Sequence, residues 1–458
     1  MKEKKITEQS LFLKNLFSIA LPIILQNFLS SLVNMLDTIM VGQLGHIEIA
    51  AVGLANQIFF VMTIVIFGIA SGGAIFITQY WGKKDTDGML RSTGVMLSAS
   101  IVVSIFFFLM ATFAPEFCLS IYSKDQEVIQ KSSPYLKVVA PCYIFTAISL
   151  AFAQALRSTE KVRLPMVATS ISVVVNTILN FILIFGIKLG DTQLIKPYGI
   201  VGAAIATVIS RIIECVILLS FAYAKKFEIA VNPKRWFKYQ VGFLPRYLRI
   251  CFPVLINETL WGFGNSLQNS IYAHAGTDIF SAFSITCTIS NLVWTFFIGC
   301  GNAAAILIGK KIGEQKHEEA QILAKKLTSF MAISACILAL LLIPLALSLP
   351  IFFKVKADVI KMARIFLYMT AALYPLFAMN MCLVVGVCRS GGDSIYGTIM
   401  DVGFMWALAL PLGFCAVKFW NLPFWGIFIC IHTEDIFKTT MGLIRLKSGK
   451  WLHDVTTN

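Results

Sequence analysis

Across 458 residues, 57% are hydrophobic and only 14% are charged, with a mean hydropathy of +0.79. Such a chain lacks the polar side chains to cover a water-facing surface, so lipid is its main solvent and an ordinary soluble enzyme or binding module is excluded. The net charge of +14 invites a nucleic-acid partner, but the placement of that charge follows a membrane instead.

The opening MKEKKITEQS is polar, and the apolar run behind it is too long for a leader core and lacks a small-residue cleavage site. No cleavable signal is expected there. A hydrocarbon core roughly 30 Å thick needs about 20 apolar residues per helical pass, and unpaired backbone groups in lipid force such runs into helices. Twelve passes are predicted, at 13–41, 47–79, 88–113, 132–155, 164–187, 199–224, 247–273, 279–308, 320–348, 357–387, 394–418 and 424–446. Ten-residue segments of alternating polarity, the mark of a membrane β-barrel, are not seen. With the amino terminus placed in the cytoplasm, most Lys and Arg flank cytoplasmic ends of spans, as the positive-inside rule requires. This reading gives a multi-pass protein of the cell (inner) membrane with both termini cytoplasmic. It also assigns the basic charge to anionic lipid rather than to nucleic acid.

The widest polar stretch, 225–249, lies near the middle and reads as a cytoplasmic linker between a lobe at 1–230 and a lobe at 231–458. Leu21-Pro22 recurs as Phe252-Pro253, and GIASGGAIFITQYWGKKD from Gly68 as GCGNAAAILIGKKIGEQK from Gly299, both 231 positions on. Arg157-Ser158 recurs as Arg389-Ser390 at 232. A nearly constant offset over such a length signals an internal repeat. Six passes per copy give both copies the same orientation, a parallel repeat of the kind that holds substrate between halves in secondary transporters. Long loops are absent, which leaves no room for a soluble catalytic domain.

The eleven cysteines contain no C-x-x-C pair, and the five histidines lack ligand spacing, so neither predicts a structural metal. A phosphate-binding G-x-x-x-x-G-K-[ST] loop is missing, which argues against ATP hydrolysis. Polar and ionisable residues inside the apolar passes carry the functional hypotheses, because they are costly there. Asp37 sits deep in the first pass, where burial penalises its charged form and equips it to take a proton or trade it for a cation. A carboxylate that merely bonds a neighbouring helix is the plainer reading. Asn176 and Asn180, four apart in the fifth pass, share one face; they either complete a cation shell with Asp37 or simply hydrogen-bond between helices. Glu258 is the matching carboxylate of the second half, and Asn257, Asn265, Gln268 and Asn269 give its pass a polar face that reads as cavity lining. Asp401, Arg211 with Glu214, and His432 with Glu434 and Asp435 are weaker cases, the Arg211–Glu214 pair being spaced to neutralise itself.

Taken in order, LPIILQ from Leu21, LDTIMVGQLG from Leu36, AAVGLANQI from Ala50, the Gly68 run, LRST from Leu156, NTILNFILIFG from Asn176 and GIVGAAIATVISR from Gly199 resemble the multidrug and toxic compound extrusion (MATE) exporters. The resemblance implies an all-α integral membrane fold of two pseudo-symmetric six-helix bundles in a V. It also implies export of organic, often cationic compounds in exchange for Na⁺ or H⁺, with no cofactor beyond that coupling ion and no enzymatic activity. Carried over by position, the family's ion-coupling residues correspond to Asp37, Asn176 and Asn180, with Na⁺ as the metal such a site takes. Thr207 falls where its polar network continues. Glu258, the fourth ion-coupling candidate as a second cation site or a countercharge to a cationic substrate, and Tyr374 match the branch named for norfloxacin export, although Ala378 stands where that branch has an aspartate. Asn180 stands where the branch named for DNA-damage inducibility has one. Asn34 and Asn257 join Thr207 and Tyr374 as candidates for the substrate cavity.

The expectation is therefore alternating access by a monomer in the bilayer, with ion and substrate competing. A lipid-linked oligosaccharide flippase of the same superfamily is the alternative within transport, and scarce Arg and Lys within the passes argue against it. A membrane-embedded hydrolase would need a nucleophile–base or carboxylate–metal constellation that does not appear. A passive channel fits the two-lobed repeat poorly.

Overall fold

A computed structural model describes residues 2–189, 192–236, 242–353 and 355–457. Met1 and Asn458, whose side of the membrane the charge pattern predicts, lie outside the described residues, as do 237–241 of the expected linker. The long helices are α1 (Lys2–Gly42), α2 (His46–Lys83), α3 (Thr86–Phe113), α4 (Gln126–Val139), α5 (Cys142–Ser158), α6 (Arg163–Phe185), α7 (Gly199–Ala224) and α8 (Phe243–Ala275). There follow α9 (Thr277–Gly313), α10 (His317–Leu347), α11 (Ala357–Arg389), α12 (Ser394–Lys418) and α13 (Phe424–Ser448). A short antiparallel hairpin, β1 (Ile187–Leu189) and β2 (Thr192–Ile195), joins α6 to α7.

Among the described residues, nine of these helices are long and apolar enough to cross a membrane, and α4 with α5 makes a tenth pass bent by 55°. The fourth predicted pass is thus not one straight rod. Pro141 lies at the break, where it has no N–H to donate and its ring excludes the carbonyl one turn back. The remaining two passes, α8 and α13, fall short of the apolar test, and they are the helices that carry Asn257 with Glu258 and Glu434 with Lys438. Counting them gives the twelve passes of a multi-pass membrane protein. Large apolar side chains such as Val102, Phe113, Leu340 and Ile444 point outward, which suits lipid and would be costly in water.

Two compact units form. One, here called the Asp37 unit, holds Leu25–Ile77 and Asp85–Tyr247; the other, the Glu258 unit, holds Met1–Ile24, Thr78–Lys84 and Leu248–Asn458. In the Asp37 unit, Met62 and Ile66 of α2 pack with Leu136 of α4, Tyr143 and Ala147 of α5 and Ala204 of α7 into a buried cluster. Asp85 caps α3 by accepting from Gly88 N at 2.9 Å, and Asp125 caps α4 by accepting from Glu127 N at 3.0 Å, which satisfies orphan donors at each start.

In the Glu258 unit, the stretch 78–84 packs against the end of α9 with no side chain between. A Cβ on Gly82 would collide with the Lys310 carbonyl, and one on Gly313 with the Gln79 carbonyl. Both pairs, 82 with 313 and 79 with 310, are 231 apart, so the repeat read from sequence reappears as a reciprocal backbone contact. After α13 ends on Gly449 in the left-handed region (φ 69), the last residues fold back as a strap. Gln79, fully buried, donates to Ser390 O at 2.8 Å and His453 O at 3.1 Å and accepts from Val455 N at 2.8 Å. Trp451, also fully buried, donates from Nε1 to Gln321 Oε1 at 2.9 Å.

Candidate functional site

The 3.6-residue period of α6 stacks Asn176 and Asn180 on one face, and that face meets Asp37 of α1. Asn180 Nδ2 donates to Asp37 Oδ1 at 2.5 Å and to Asn176 Oδ1 at 3.1 Å. Asn176 Nδ2 donates to Ser210 Oγ at 3.3 Å, and Ser210 in turn donates to the Thr207 carbonyl at 2.9 Å. Both amides are at least 95% buried, while Asp37 is half-buried. Asn180 Oδ1 is buried without a hydrogen-bond partner among the described residues. An orphaned carbonyl oxygen in a dry interior costs about 1–3 kcal/mol. Beside a carboxylate, such an oxygen suits a hard cation or the proton of a carboxylic acid. The donor set is all oxygen, which fits an alkali ion or a proton and not a soft metal.

The other members expected around this site separate. Thr207 turns its hydroxyl back on its own helix, donating to Ala203 O at 3.0 Å, and only its carbonyl joins the network. Asn34 is exposed, three residues before Asp37. Arg211 and Glu214 pair at 2.8 Å as their spacing predicts. Thr169 donates to Glu214 at 2.7 Å and accepts from Gln26 at 2.9 Å, so this carboxylate is fully engaged.

Glu258 belongs to the other unit and is not an isolated carboxylate: its Oε1 forms an ion pair with Arg389. Asn257, expected to line a substrate cavity, is 2% exposed; it accepts from Arg389 at 2.6 Å and donates to Asp401 Oδ2 at 3.1 Å. Lys438 Nζ lies 3.1 Å from Asp401 Oδ1 and 3.2 Å from Glu434 Oε2. Asp435 accepts from Asn380 Nδ2 at 3.1 Å and pairs with His432 Nδ1 at 3.1 Å. Of the weaker sequence candidates, Asp401 and Glu434 therefore join Glu258 in one buried network, Asp435 and His432 pair with each other, and Arg211 with Glu214 belongs to the other unit. Sequence reasoning missed Arg389 and Lys438 as its cations, although Arg389 is a repeat landmark and Lys438 stands one turn after Glu434. Both Arg389 and Asp401 lie in π-helical segments, Cys382–Arg389 and Ile399–Gly403, a widening often found where function requires an inserted side chain. Tyr374 is 2% exposed and wedged edge-on between Phe297 and Phe377, so it belongs to the packed interior of its unit.

The repeat is visible in these contacts. Gln26 and Asn257 are 231 apart, Thr169 and Asp401 are 232 apart, and each amide donates to its partner in the same way. Asp37, Asn176 and Asn180 have no such counterpart, since the matching positions are Gln268, Leu408 and Leu412.

Comparison with known proteins places this arrangement. The chain is similar to a probable multidrug resistance protein NorM of Thermotoga maritima, 25% identical over 96% of this chain and 93% of that protein. It is also similar to human multidrug and toxin extrusion protein 1, 22% identical over 95% of this chain and 71% of that protein. In fold it resembles a crystal structure of MATE in the straight conformation, with a TM-score of 0.81 at 20% identity, covering 95% of this chain and 96% of that one. The same TM-score, at 18% identity and 95% and 96% coverage, relates it to a MOP superfamily transporter from Pyrococcus furiosus whose binding pocket is described as having reverse polarity. These relatives are transporters, not enzymes. The MatE family model matches residues 22–182 and again 253–426, two stretches that begin 231 positions apart. With both repeats matched, the chain belongs to the MatE family, the multidrug and toxic compound extrusion transporters.

Proposed function

We propose that this protein is a secondary active antiporter of the cell membrane that exports organic cations in exchange for Na⁺ or H⁺, working as a monomer with cytoplasmic termini. The observation that carries the reading is the Asp37 carboxylate beside the orphaned Asn180 carbonyl oxygen. Ion binding there joins α1 to α6. Through its different affinity for two conformations it biases alternating access of the two repeats, 1–230 and 231–458; a ligand with equal affinity for both would shift nothing. Relatives are named for multidrug resistance, and an aromatic-rich chain with 37 Phe has the side chains to hold flat lipophilic cations by stacking and cation–π attraction.

The test is efflux of a cationic dye from proteoliposomes with a Na⁺ gradient and a pH gradient imposed separately. One of the two gradients is expected to drive accumulation or release against the dye gradient. Dye movement that simply equilibrates under both would identify a passive pathway instead.

A further inference from the structure

We propose that Lys438 is a tethered counter-ion occupying the cation position of the Glu258 unit, so that the chain takes its coupling ion at Asp37 alone. The proposal rests on the reading of Asp37 as the coupling carboxylate. It starts from a contrast between the two units. Every membrane carboxylate of the Glu258 unit has a resident partner: Arg389 for Glu258, Lys438 for Asp401 and Glu434, and His432 with Asn380 for Asp435. Asp37, by comparison, is held by the amide of Asn180.

Lys438 sits as a bound monovalent cation would. Its ammonium, on a side chain only 5% exposed, lies 3.1 Å from an oxygen of Asp401 on α12 and 3.2 Å from an oxygen of Glu434 on its own helix. Asn257 fixes the other Asp401 oxygen from α8. An ammonium is a compact point charge with three donors, and it bridges the carboxylates of two helices as an alkali ion bridges oxygen ligands.

The repeat shows what has been exchanged. Thr169, at the position matching Asp401, reaches a carboxylate, Glu214, on the last helix of its unit. Asp401 reaches an ammonium on the last helix of the other. Removing Lys438 would leave Asp401 and Glu434 sharing a buried space without a positive charge, which like-charge repulsion and desolvation both penalise. The neighbouring cations are already committed, Arg389 to Glu258 and His432 to Asp435. A covalently held cation cannot be released during transport, so this position contributes architecture and not coupling.

Radiolabelled Na⁺ bound per chain in detergent tests the assignment. The Asp37→Asn protein is expected to bind none. Adding Lys438→Gln should create one Na⁺ site per chain, and adding Asp401→Asn to that pair should abolish it. Lys438→Arg in place of Lys438→Gln should create no site. Na⁺ bound by the Asp37→Asn protein and removed by Asp401→Asn would overturn the proposal, and this arm needs no change at Lys438. So would a Lys438→Gln protein with an unchanged melting profile that gains no Na⁺. If instead Asp37→Asn keeps wild-type ion-driven efflux, the reading of Asp37 fails by itself, whatever the Na⁺ counts give.

Discussion

Asn180 Nδ2 lies 2.5 Å from Asp37 Oδ1 and links two passes 143 residues apart. The contact turns an isolated membrane carboxylate into part of a site, since the same amide presents its unpartnered oxygen nearby. Asp37→Asn is therefore expected to abolish ion-driven dye efflux in everted vesicles while leaving the melting profile in place. Asn180→Leu, which removes both the donor and the orphan oxygen, should lower efflux at least about tenfold, equivalent to ~1.4 kcal/mol. Wild-type efflux by either variant would remove these residues from the mechanism.

Arg389 holds two acceptors at once, Glu258 and Asn257. Breaking a buried pair by deleting one partner costs about 3–5 kcal/mol, because the remaining charge stays desolvated. Arg389→Ala should destabilise the protein by that order in reversible unfolding with mixed micelles. In the Arg389→Ala/Glu258→Ala double variant the cost should fall short of the sum of the single variants by about 0.5–3 kcal/mol. Strict additivity would mean that the pair is not energetically coupled.

Glycine at 82 and 313 is required by the close approach of the two repeat segments, where any Cβ meets a carbonyl oxygen. Gly82→Ala and Gly313→Ala should each cost about 1–3 kcal/mol by overpacking, read as a lower melting temperature. Gly53→Ala is the control: it sits inside α2 with open space around it and should gain about 0.5–1 kcal/mol from reduced backbone freedom in the unfolded chain.

The carboxy-terminal strap carries its own pH dependence. Burial pushes the Asp454 carboxyl up, but hydrogen bonds from Thr456 Oγ1 and N and from the Gln315 amide, with Lys83 nearby, hold it below the usual carboxylate range. A carboxyl lowered by folding stabilises above its unfolded value, and that contribution is lost as pH falls through the folded one. Protection factors of the amides at 452–456 in hydrogen exchange should drop below that range, and Asp454→Asn should flatten the profile. Gln79→Ala, which removes the hydrogen bonds to two carbonyls and from one N–H, should lower the same protection at every pH; unchanged exchange would show that the strap holds without it.

Much of this fold is legible in the sequence because it is governed by local rules. Apolar length fixes the passes, the constant offset exposes the repeat, and helical period places Asn176 and Asn180 on one face. What the helices do to one another is not local. Nothing in the spacing of Glu258 reveals that Arg389, from a distant pass, neutralises it, or that Lys438 serves both Asp401 and Glu434. Those pairings depend on helix rotation, crossing and the π-helical widening of α11 and α12, which arise only when whole passes pack. The bend at Pro141 lies between these cases, since proline announces a break but packing sets its angle. By itself the sequence determined a twelve-pass repeat with a carboxylate deep in its first pass. Only the tertiary structure decided which buried carboxylates already have a cation, because burial leaves a charge no solvent and the neighbouring helices must supply its partner.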